Sequence, residues 1–209
     1  MNTQTAEDRS SPRLVGAAGI ATALLLLVAP MVASDAGTVA WIVGFLLLVP
    51  FLAGLASLVA AEETGRWLAP VITAGGSIAA ALQLVTAGVG HVANNVSKAS
   101  PVHEPLHAVE SALFALTLLP LGLALAATAA AMLRHHRVPR WLGYATAVVA
   151  AILLGNGMVL GTEQLPGLLA FLVWTFICGI VLMARRRIAV PTQHVIEAHE
   201  AAHLGRAAP

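Results

Sequence analysis

A chain of 209 residues that is 58% apolar and only 10% charged lies far from the soluble average of about 25% charged residues. Its net charge of +1 offers no electrostatic footprint for a nucleic-acid partner, and its single cysteine, Cys178, excludes an intramolecular disulfide. The composition is that of an integral membrane protein whose first partner is the lipid bilayer.

A hydrocarbon core of about 30 Å needs about 20 apolar residues per helical span. Six such stretches occur, at about 14–33, 38–60, 67–90, 106–133, 141–161 and 165–184. The runs are apolar on all sides and lack the alternation of a membrane β-barrel. The expectation is therefore an all-α, polytopic bundle of six transmembrane helices, with residues 1–13 as a leader, 14–187 as the membrane domain and 188–209 as a tail.

The leader is polar and ends in Arg9, Ser10, Ser11, Pro12 and Arg13. Its two arginines and Ala33 could frame a secretory signal. However, the apolar run to Val32 is longer than the 7–15 residues usual for one, and Met31 is too large for a cleavage site. A retained first span is expected. With the N-terminus cytoplasmic, six spans put ten arginines inside and only Lys98 outside, a strong positive-inside bias. Both termini are then cytoplasmic in an inner or plasma membrane. Ser34–Gly37, His91–Glu104 and Gly161–Gln164 face outward.

Trp41, Trp67 and Trp141 fall near span ends, where the headgroup layer favours amphipathic rings. Pro30, Pro50 and Pro120, Gly75-Gly76 and Gly155-Asn156-Gly157 lie within spans and read as kinks or sites of close packing. The Gly157-x-x-x-Gly161 pair and the alanines from Ala124 to Ala131 suggest small-residue helix contacts, within the chain or in a homo-oligomer. Arg66-Trp67-Leu68 and Arg140-Trp141-Leu142 open two spans alike, although interfacial rules alone put Arg and Trp there. In the tail, Pro191 stops the last span and Thr192 caps a short expected helix ending at Gly205.

Polar chemistry is concentrated between His91 and Glu110, which hold three of the eight histidines and the only lysine. The pattern His-Glu-x-x-His occurs at His103–His107 and again at His199–His203. On a helix it sets two imidazoles one turn apart to hold a divalent metal such as zinc, with the glutamate activating a bound water. The two copies fall on opposite sides of the bilayer and cannot build one site. The tail copy has no third ligand nearby.

In the outer copy, His103, His107 and Glu110 recur at i, i+4 and i+7 and would share one helix face, with Glu104 as the base and His91 as a further ligand. Pro105 disfavours helical geometry at Glu104. The expected helix therefore starts at Pro105 with Glu104 as its cap, leaving His103 outside and His107 and Glu110 as an i, i+3 pair.

Gln83 lies about 24 Å above Trp67 and Asn156 about 22 Å above Trp141, at a rise of 1.5 Å per residue. Intramembrane polar groups at such depth face other helices or a cavity. Together with Glu163 and the His/Glu cluster they would line an outward-opening vestibule for a small-molecule ligand. On the simpler reading, the loop groups are solvated and the two amides bond between helices.

Three function classes follow. A membrane-embedded metal-dependent hydrolase needs the cluster to hold its metal. A small-solute or proton-coupled transporter needs the Gln83 and Asn156 level to be hydrated. A structural or interaction protein needs neither.

Overall fold

The computed structural model describes residues 11–32, 35–60, 66–134, 139–158 and 165–184. Six α-helices account for nearly all of them: α1 (Ser11–Val28), α2 (Asp35–Ala60), α3 (Ala69–Asn95), α4 (His103–Arg134), α5 (Arg140–Met158) and α6 (Leu165–Ala184). No strand occurs among the described residues. All six are long and apolar enough to cross a membrane, which makes the chain an all-α polytopic bundle. At 1.5 Å per residue α5 measures about 28 Å and α4 about 48 Å, so α4 overreaches a hydrocarbon layer of about 30 Å by several turns.

Consecutive helices pack side by side from α1 to α6, and α1 closes against α6. The centre of this ring is filled. Phe51 from α2 is fully buried, with its ring over Gly19 of α1 and its edge toward Trp174 of α6 at 6.1 Å. Lipid tails are as apolar as leucine, so such helices are held by close packing rather than by expulsion from water.

Glycines supply that packing. A Cβ on Gly75 would lie 2.6 Å from the Pro120 carbonyl and 2.9 Å from the Ala124 Cβ, so α3 and α4 meet backbone to backbone there. Gly76 receives Leu52, and Gly157 receives Leu119. Gly75, Gly76 and Gly157 are therefore engaged within the chain, whereas Gly88 and Gly155 are exposed and meet no neighbour. Pro50 and Pro120 lie inside continuous helices, whereas Pro30 falls in a 3-10 turn, Ala29–Met31, that ends α1.

Buried polar side chains among the described residues are Gln83 and six threonines. Five of the threonines donate to the carbonyl four residues back, as Thr146 does to Leu142 at 2.7 Å, and so satisfy themselves within their own helix. Gln83 has no such local partner, and what it binds defines the site.

Two helix boundaries flanking the polar segment differ from the sequence reading. First, α3 continues to Asn95, so His91 is helical rather than in a loop. Asn95 donates its side-chain amide to the His91 carbonyl at 2.8 Å, covering one of the acceptors a helix end exposes. Second, α4 starts at His103 rather than Pro105. The Leu106 amide bonds the Val102 carbonyl at 3.2 Å, and Pro105 occupies the first turn, where a missing N–H costs nothing. His103 and Glu104 are consequently part of the helix.

At the opposite end, α1 begins at Ser11, inside what reads as the leader. The tail with His199 and His203 lies outside the described residues, as does Glu163.

Candidate functional site

The end of α1, the start of α2, the end of α3 and the start of α4 meet at one end of the bundle. There α3 and α4 extend their polar turns around a cavity of about 480 Å³. It runs along α3 from Gln83 to Asn95, about 18 Å of helix, with Trp41 and Thr38 of α2, Phe114 and Glu110 of α4 and the end of α1 as its other walls.

Gln83 is its floor. The side chain is 1% exposed, and its Oε1 accepts a hydrogen bond from the Trp41 indole nitrogen at 3.1 Å. An indole N–H can only donate, so this contact sets the amide orientation. The Nε2 group is left buried without a hydrogen-bond partner. A buried amide nitrogen left in this way costs about 1–3 kcal/mol unless something supplies an acceptor.

Trp41 is therefore not only an interfacial anchor. It turns inward, half-buried, and packs on Phe45 at 5.4 Å and on Phe114 at 6.2 Å. Trp67 and Trp141, by contrast, are exposed at the starts of α3 and α5, as the aromatic-belt rule expects.

Higher up the wall, the Glu110 carboxylate lies directly against Gly90, whose missing side chain makes the room. Its Oε2 is 3.0 Å from His107 Nδ1. His107 meets the ring of His103 edge-on, with centroids 4.7 Å apart. The i, i+4, i+7 alignment read from the sequence thus exists, because the helix includes His103. The His103 Nδ1 is buried without a hydrogen-bond partner.

His91 lines the cavity from α3 and approaches Asn95 Nδ2 at 3.3 Å. Glu104 is exposed on the first turn of α4 and does not line the cavity. Among the described residues, no three His, Cys, Asp or Glu side chains converge as a metal-binding group.

Asn156 belongs elsewhere. Its amide packs against Gly167 at the α5–α6 contact, and its Nδ2 has no hydrogen-bond partner. The similar openings of α3 and α5 therefore do not produce equivalent polar sites. The residues that sequence reasoning missed are Trp41 as a ligand of Gln83, together with Phe114, Thr38 and Asn94 as cavity walls.

No family model, curated protein or solved structure matches the chain.

Proposed function

We propose that this multi-pass membrane protein binds a small polar solute in the Gln83 vestibule, as the entry station of a solute transporter. The arginine asymmetry favours a cavity mouth on the outer face of an inner or plasma membrane. The observation that carries the reading is the Gln83 side chain, 1% exposed, oriented by Trp41, lining the deep end of a cavity of about 480 Å³ and holding a buried donor that is unmet. Polar groups converging in a pocket of this size are the usual make-up of a small-molecule site.

A metal at the His/Glu cluster is the second reading, favoured by one arrangement. Glu110 engages His107 Nδ1, as a carboxylate does when it orients a metal-binding histidine, and the His103 ring lies edge-on beside it. Zinc held there by His103, His107 and a reoriented Glu110, with His91 or Glu104 recruited, would serve the hydrolase alternative.

The test is a binding screen on the purified full chain, using small solutes that are neutral, anionic or cationic, with zinc included. The expected result is saturable binding of at least one organic solute, weakened tenfold or more by Gln83→Leu and little changed by His103→Ala. Saturable zinc binding that is lost in His103→Ala, with no organic solute bound, would replace the transporter reading with the metal one.

A further inference from the structure

With His91 counted as neutral, the cavity walls carry formal charge of one sign. Glu110 is the acid among the lining residues, no lysine or arginine is among them, and Lys98 is exposed on the loop above. The Trp41 and Phe114 rings stand together on the wall, inclined by 30°. Because the indole N–H is already given to Gln83, the polar edge of Trp41 is engaged and what remains for a ligand is aromatic surface. Aromatic faces attract cations through their quadrupole, and carboxylates do so through charge. An anion would meet Glu110, already hydrogen-bonded to His107, on a wall that has no lysine or arginine to offset the carboxylate.

Gln83 adds a second requirement. Its amide nitrogen is a donor, so the ligand must also carry an acceptor. Gln83 and Gly90 are seven residues apart on α3, about 10 Å along the axis, and the Glu110 carboxylate rests on Gly90. Allowing for one hydrogen bond and one ammonium contact leaves only a few ångströms between the charged and accepting atoms of the ligand.

We infer that the vestibule selects small organic ammonium ions that carry a hydroxyl or carbonyl acceptor a few bonds from the charge. This rests on the solute-binding reading above and gives it a substrate class.

The experiment compares choline with 3,3-dimethyl-1-butanol, its uncharged carbon isostere, and with tetramethylammonium, which keeps the charge and lacks the acceptor. Binding to the full chain is measured by calorimetry at constant ionic strength. Choline should bind saturably and at least tenfold tighter than the isostere. Glu110→Gln should narrow that gap, and Phe114→Leu should weaken choline more than the isostere. Gln83→Leu should weaken choline and leave tetramethylammonium unchanged.

Equal, Gln83-dependent binding of choline and the isostere would overturn the ammonium preference and leave the solute vestibule standing. So would saturable, Gln83-dependent binding of neutral or anionic solutes without choline. The absence of Gln83-dependent binding for every solute would overturn both. The comparison of choline with its isostere needs no variant, so it decides the ammonium preference even if the Glu110→Gln protein misfolds.

Discussion

Phe51→Ala should destabilise the bundle more than any substitution on its surface, by about 3 kcal/mol. The ring is fully buried where α1, α2 and α6 meet, in contact with Gly19 and edge-on to Trp174. In a soluble protein the cost of Phe→Ala is about 3–5 kcal/mol and includes transfer from water. In a bilayer the unfolded reference is lipid-solvated, so what is lost is mainly packing, and the lower end of that range applies. Reversible denaturation in mixed micelles would measure it. A loss below about 1 kcal/mol would mean that the centre of the ring is not close-packed.

Gly90→Val should have the opposite profile, with a large effect on ligand binding and a small one on stability. A Cβ at Gly90 meets the Glu110 carboxylate, which is the mobile end of a side chain 32% exposed and able to swing away. The fold survives because nothing rigid is struck, but the charge leaves the wall. Organic-cation binding should fall at least tenfold while the melting temperature moves by only a few degrees. The contrast is Gly75, where the same added carbon strikes the Pro120 carbonyl oxygen and the backbone itself must shift. Gly75→Val should therefore lower stability without any specific effect on the ligand. If the Gly90 and Gly75 variants lost binding and stability in the same proportion, the role assigned to Glu110 would be wrong.

Span number and placement were legible because apolar run length is a direct consequence of bilayer thickness. The ends of α3 and α4 were less so. Hydropathy marks where lipid stops, whereas a helix continues as long as its backbone and caps are satisfied, as Asn95 does for α3 and the first-turn Pro105 permits for α4. The His107 and Glu110 pair was readable from spacing alone, because an i, i+3 relation is local, whereas His103 joins it only because the helix starts before Pro105.

The Trp41–Gln83 bond was not readable. It joins residues 42 apart on different helices, and nothing in either local stretch marks the other as its partner. Gly90 was equally silent, since its role is to leave space for a side chain on the next helix. Asn156 looked equivalent to Gln83 by depth, but position around the helix axis, which depth does not specify, sends it to the α5–α6 contact instead.

Water and solute should reach Gln83 from the end of the bundle carrying the 96–102 loop and go no deeper. Cysteine accessibility in sealed, oriented vesicles tests it with single substitutions Ser97→Cys, Gln83→Cys and Ala79→Cys. The native Cys178 is fully buried and provides a low background. A membrane-impermeant cationic methanethiosulfonate should modify Ser97→Cys and Gln83→Cys from the same side, the one opposite the arginine-rich connections. It should leave Ala79→Cys, one turn below and fully buried, unmodified. Contradiction would come from an inert Gln83→Cys beside a reactive Ser97→Cys, or from Gln83→Cys reacting only from the other side.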